Sequence, residues 1–258
     1  MLHKTTPIPL TRQLKKHIPN TITCCNLVCG AIATVHAVTG NLPLALLFII
    51  LGAVFDFFDG MSARLLGVSS EIGKELDSLA DDVTFGVAPA SMIFYELQVV
   101  DYPRVSDTHA MPYALIPYLA FIVAALSAVR LAKFNLDTRQ TTSFIGLPTP
   151  ANALFWGSLI VGFGPILERW SLFMPMIVVG IFLSSWILVA EIPMFALKFK
   201  HWGLKGNEIK YGFIAFSAIT LIATIIAGLS TGLTHLCYAG FSIIIVAYVI
   251  VSIATQKS

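Results

Sequence analysis

Residues 42–64 read LPLALLFIILGAVFDFFDGMSAR: an uncharged apolar run to Phe55, then Asp56, Asp59 and Gly60, then Ala63 and Arg64. Crossing a hydrocarbon core of about 30 Å takes roughly 17–25 mostly apolar residues. The run is the clearest of several of that kind. The 258-residue chain is 57% hydrophobic and 12% charged, far more apolar and charge-poor than soluble domains, where about a quarter of residues are charged. Hydropathy with turn signals predicts spans at 21–38, 42–60, 77–97, 112–134, 150–164, 172–195, 211–228 and 234–252. The expected fold class is all-α, a polytopic membrane bundle of about eight transmembrane helices.

An even number of spans puts both termini on one side. Counted loop by loop, fourteen of the sixteen Lys and Arg fall on that side, and Arg104 and Arg169 alone on the other. The positive-inside rule therefore places both termini, and the loop carrying Arg64 and Lys74, in the cytoplasm, in a cytoplasmic (inner) membrane. The first twenty residues have no apolar h-region with a cleavage site, so the first span is expected to act as its own insertion signal. Between Pro7 and Pro19, Leu10, Leu14 and Ile18 recur every four residues opposite Arg12, Lys15 and Lys16, the pattern of an interfacial helix on anionic lipid. Segment 1–20 is thus expected to lie on the membrane. Cys24, Cys25, Cys29 and Cys237 lack metal-site spacing and read as packing residues. A net charge of +2, dispersed between spans, does not indicate a nucleic-acid partner.

The chemistry is concentrated at the end of the quoted stretch and just after it. Asp56 and Asp59 stand i,i+3 at the cytoplasmic end of the second span, and Asp77 and Asp81 stand i,i+4 at the start of the third. Each pair shares one helix face. A turn around residues 67–70 folds one helix against the other and makes the four carboxylates converge. Unpaired acids at that depth need compensation, and a divalent ion with oxygen ligands supplies it: Mg²⁺, Mn²⁺ or Ca²⁺ rather than zinc, with room for two ions bridging phosphate oxygens. Gly60, Ala63 and Gly73 leave the acid-bearing faces free of bulk. Arg64 adds a guanidinium able to clamp phosphate.

Asp56, Asp59, Gly60, Ala63, Arg64, Gly73, Asp77 and Asp81 match D-x-x-D-G-x-x-A-R-x8-G-x3-D-x3-D without a departure. In this the chain resembles the CDP-alcohol phosphatidyltransferases. The resemblance implies a membrane-embedded, usually dimeric enzyme. Asp56, Asp59, Asp77 and Asp81 would be metal ligands, with Asp81 also the general base, and Gly60, Ala63 and Arg64 would contact the CDP moiety of a CDP-diacylglycerol. Asp82, about 100° around the helix from Asp81, is left outside this set. The family core would occupy 21–200, followed by two additional C-terminal helices in 201–258.

The motif does not choose the acceptor alcohol. His17 to Thr23, Glu75 to Ala90, Arg130 to Asn135 and Phe144 to Pro150 resemble the members of the family that act on L-serine, over roughly residues 15–200. Asn20 and Thr23, in the first of these stretches, and Gly73 of the motif are also expected at the CDP moiety. Serine carries a carboxylate and an ammonium, so its site needs a cation near the metals. Arg130 and Lys133, i,i+3 at the cytoplasmic end of the fourth span, are placed to supply it, and Asn135 and Ser143 could add neutral hydrogen bonds. The nearest competing reading is the same transfer to glycerol 3-phosphate or inositol phosphate, which calls for more cations. An ion transporter is disfavoured because all four acids sit on two neighbouring helices and no inverted repeat is visible. A phospholipase-type route would need H-x-K-x4-D elements, and none occurs.

Overall fold

The computed structural model describes residues 10–68, 70–99, 114–137, 144–168, 170, 172–195 and 203–255; the side chains of 10–14 and 16 lie outside that description. Helix α1 (Leu10–Val38) runs without interruption through Pro19. The helix thus joins the expected interfacial segment to the first span without a break: a lone proline removes one ladder hydrogen bond, and no glycine stands beside it to stop the helix. Gly40 turns the chain with φ +82°, and the Asn41 side chain accepts from Leu44 N at the start of α2 (Leu42–Leu66).

α2 continues past the expected residue 60 and ends at Gly67, whose φ of +60° is a left-handed cap. Ser70 then caps α3 (Glu71–Asp81), its Oγ accepting from Gly73 N at 3.0 Å. This is the reversal expected around residues 67–70. It lays the acid-bearing end of α2 beside the acid-bearing start of α3. α3 passes into a π-helical segment, Asp82–Val87, and then α4 (Ala88–Val99).

The π segment is wedged in place. Thr84, fully buried, donates from Oγ1 to Asn26 O at 3.0 Å, and it sits between Gly30 of α1 and Gly52 of α2. A Cβ on Gly30 would collide with the Thr84 hydroxyl and stand 2.7 Å from its Cα. Gly30→Val should therefore cost about 1–3 kcal/mol by overpacking, which at this chain length lowers the melting temperature by roughly 2–10 °C. A detergent melt unchanged from wild type would show that this contact does not hold the site together.

A short 3-10 turn (Ile116–Ala120) leads into α5 (Phe121–Leu136). Strand β1 (Phe144–Ile145), α6 (Thr149–Leu167), α7 (Phe173–Val189) and strand β2 (Pro193–Met194) follow. Then come α8 (Glu208–Thr231), a second 3-10 turn (Thr234–Tyr238) and α9 (Gly240–Thr255). The expected span 172–195 is cut short at Val189, because residues 193–194 pair antiparallel with 144–145.

The core lies between α1, α2, α4, α6 and α7. Leu46, Ile49, Phe85, Met92, Trp156 and Ile181 are buried there. Trp156 Nε1 donates to Ser184 Oγ at 3.0 Å, tying α6 to α7. α8 is almost wholly exposed, with Ile219, Ile222, Ile226 and Leu229 facing outward, as a lipid-bathed helix would be.

Each of the eight expected segments is largely helical where it is described, the exception being the end of the sixth, where residues 190–195 are not helical. Among the described residues, six helices are long and apolar enough to cross a membrane: His17–Val38, Leu42–Leu66, Ile116–Leu136, Thr149–Leu167, Glu208–Thr231 and Thr234–Thr255. Phe173–Val189 is apolar but shorter. The chain is an all-α polytopic membrane protein.

Candidate active site

The α2–α3 reversal brings the carboxyl oxygens of Asp56, Asp59 and Asp77 within 4.8 Å of one another, a spacing able to hold a metal ion. The Asp56 carboxyl interacts with both Asp77 and Asp81. Asp81 is 9% exposed and accepts from Asn26 Nδ2 at 3.1 Å. Asp59, buried, accepts from Thr23 Oγ1 at 2.6 Å. α1 thus supplies the polar side chains that aim two of the four acids.

Magnitudes decide what this cluster requires. Two unit charges within 4.8 Å repel by roughly 3–4 kcal/mol at an effective dielectric of about 20. Three such pairs approach the entire stability of a folded domain, about 5–15 kcal/mol. A cation between the members would offset this repulsion, as would protonation of some of the acids. The all-oxygen donor set fits a hard divalent cation.

Beside the acids lies a cavity of about 250 Å³ lined by Asn20, Thr23, Asp59, Gly60, Ala63, Gly73 and Asp77, with Pro19, Val68, Ser70 and Lys74. Five of the six residues expected at the CDP moiety border it: Asn20, Thr23, Gly60, Ala63 and Gly73. The sixth, Arg64, is exposed and does not line it, although its guanidinium lies 3.7 Å from where a Gly60 Cβ would stand. A Cβ at Gly73 would stand 2.9 Å from Ser70 Oγ and 3.0 Å from Asn20 Oδ1, closing this space. Asp82 points elsewhere: its Oδ1 faces Gly86 and Ser127 of α5.

The residues expected at the acceptor separate. Arg130 is 7% exposed, lies over the Phe134 ring at 5.5 Å and interacts electrostatically with Asp81. Lys133 is exposed and donates to Val189 O at 3.4 Å. Asn135 is on another face of α5: its Nδ2 donates to Ser78 Oγ at 2.7 Å and its carbonyl accepts from Lys74 Nζ at 2.6 Å. It joins α5 to α3 instead of facing Arg130. Ser143 lies outside the described residues.

Asn26 and Lys74 were missed by sequence reasoning. An asparagine inside an apolar span is costly unless it is used, and Thr23, Asn26 and Gly30 recur at helical spacing on one face of α1. That signal could have found Asn26. Lys74 was read only as a boundary cation.

Three aspartates close enough to hold a metal ion, with Asp81 adjoining them, lie beside a cavity at one end of a membrane helix bundle, an arrangement compatible with metal-assisted phosphoryl transfer. The family model for CDP-alcohol phosphatidyltransferase matches residues 16–254, and the chain belongs to that family. A Bacillus subtilis CDP-diacylglycerol–serine O-phosphatidyltransferase is 36% identical over 186 residues, covering 72% of this chain and 91% of that protein. A Mycobacterium leprae protein of the same name is 31% identical over 242 residues, covering 88% and 74%. A Saccharomyces cerevisiae protein, again of that name, is 39% identical over 112 residues, covering 40% and 36%. The family is divalent-metal dependent in general.

Proposed function

We propose that this protein transfers the phosphatidyl group of CDP-diacylglycerol to the hydroxyl of L-serine, giving phosphatidylserine and CMP. The observation that carries the reading is the convergence of Asp56, Asp59 and Asp77, with Asp81 interacting with Asp56, beside a cavity of about 250 Å³. The names of the relatives above support serine as the acceptor.

Asp56, Asp59, Asp77 and Asp81 would hold one or two divalent ions, Mg²⁺ or Mn²⁺, which would supply positive charge to neutralise the pyrophosphate. Asn20, Thr23, Gly60, Ala63 and Gly73 admit the CDP moiety, and Arg64 closes over it from the surface. Asp81, held by Asn26, takes the proton of the serine hydroxyl. The serine oxygen then attacks the phosphorus bearing diacylglycerol, a new P–O bond forms, and the bond to CMP breaks. Arg130 binds the serine carboxylate near Asp81.

An apolar groove of about 310 Å³ between Ile50, Val54, Phe57, Phe58, Leu154 and Phe241 opens beside the acid-bearing turn of α2 and suits the acyl chains. The site and both termini face the cytoplasm, a reading supported by the distribution of Lys and Arg. The protein acts as a homodimer, as the resemblance to its family implies.

The test is incubation of purified protein with CDP-diacylglycerol, labelled L-serine and Mg²⁺ or Mn²⁺ in detergent. Label should enter the chloroform phase as a phospholipid; label remaining entirely in the aqueous phase contradicts the reading. Arg130→Ala should raise the KM for serine at least tenfold, the scale of a lost charge-assisted hydrogen bond, and leave the KM for CDP-diacylglycerol near wild type. An unchanged serine KM would move the carboxylate site elsewhere.

A further inference from the structure

A second cavity, of about 300 Å³, lies where the end of α5 meets the end of α7 and β1. Arg130, Lys133, Asp137 and Glu191 line it, together with Leu188 and Val189. Arg130 is nine-tenths buried, and its Nε has no hydrogen-bond partner among the described residues. Because Arg130 also interacts with Asp81, it connects this cavity with the four-aspartate cluster.

The backbone around the cavity is clamped. β1 and β2 pair Phe144 with Met194 and Ile145 with Pro193, and Gly146 N donates to Ile192 O at 2.9 Å. Gly146 has φ +74°, and a Cβ there would collide with Leu188 O. This clamp fixes the segment carrying Glu191 against the end of α5.

Among the described residues, the charges lining the cavity balance: two cations and two carboxylates. L-serine balances in the same way, with one carboxylate and one ammonium. A phosphate-bearing alcohol brings about −1.5 to −2 with no positive group, and two carboxylates in the pocket repel it. Specificity of this kind comes from the repulsive element as much as from the attractive one. We infer that this cavity is the amino-acid acceptor site, in which Asp137 and Glu191 hold the ammonium of serine and turn away phosphorylated acceptors. Arg130 and Lys133 hold the carboxylate, so the hydroxymethyl group is left to reach Asp81. The inference rests on the proposed serine transfer and adds to it the groups that read the amine.

The experiment compares L-serine with 3-hydroxypropanoate, which is serine without its amino group, in CMP-release kinetics of the purified protein; 3-hydroxypropanoate is scored as acceptor or as competitive inhibitor. In the double variant Asp137→Asn/Glu191→Gln, the serine KM should rise about tenfold or more, the loss expected for charge-assisted contacts. The KM for CDP-diacylglycerol should change less than twofold. The constant for 3-hydroxypropanoate should stay level or fall, and sn-glycerol 3-phosphate should compete more strongly than in wild type. Equal losses for serine and 3-hydroxypropanoate, or no loss for either, overturn the assignment. If the double variant does not fold, Glu191→Gln alone carries the same comparison. Absence of serine-dependent release in wild type would instead defeat the serine reading itself, so the two failures are distinguishable.

Discussion

Asp81→Asn should reduce serine-dependent CMP release by about 10²–10⁴-fold, the range associated with loss of a positioned general base. The replacement keeps the shape of the side chain and retains an oxygen to accept from Asn26 Nδ2, which now lies 3.1 Å from Asp81 Oδ1. The fold should therefore survive, and the detergent melt should stay close to wild type. Asp56, Asp59 and Asp77 still converge within 4.8 Å, so Mn²⁺ should continue to bind, more weakly. Turnover at the wild-type rate would remove Asp81 from the chemistry. Loss of both folding and metal binding would make its role structural.

The second large effect is removal of the metal. Treatment with EDTA should bring CMP release to background, and addition of excess Mg²⁺ or Mn²⁺ should restore it. The same cluster predicts a readout independent of turnover. An ion that binds the folded state alone, at a hundred times its dissociation constant, adds about 2.7 kcal/mol, which at this chain length raises the melting temperature by roughly 5–10 °C. Asp56→Ala/Asp77→Ala should abolish that shift. A metal-free protein that melts and turns over like the loaded one would contradict the assignment of these acids.

The α2–α3 pair was legible in the sequence because its determinants are local. The apolar run from Leu42, the acids at i,i+3 and i,i+4, and the Gly67 and Ser70 caps each act within a few residues of chain. The spacing therefore anticipates the convergence that the fold displays. The π segment was not legible: it depends on Thr84 being wedged between Gly30 and Gly52, two helices away in sequence, and no periodicity within residues 77–97 encodes that. The early end of α7 has a similar cause, since the pairing of 193–194 with 144–145 is long-range and the hydropathy of residues 190–195 resembles a continuing span.

The separation of the acceptor residues is also tertiary. Arg130, Lys133 and Asn135 look like one cluster in sequence, yet five residues of helix turn through more than one full revolution. Arg130 and Lys133 consequently share the α5–α7 cavity while Asn135 bonds to α3. Glu191 carried no signal of its own. It became meaningful only when the strand clamp set it beside Arg130.

The most direct test of the account is CMP release by the purified protein with CDP-diacylglycerol and Mg²⁺ or Mn²⁺, offered L-serine, sn-glycerol 3-phosphate or inositol phosphate in parallel. Release is expected with serine, dependent on metal, and none above background with either phosphorylated acceptor. Release with a phosphorylated acceptor and none with serine would contradict it.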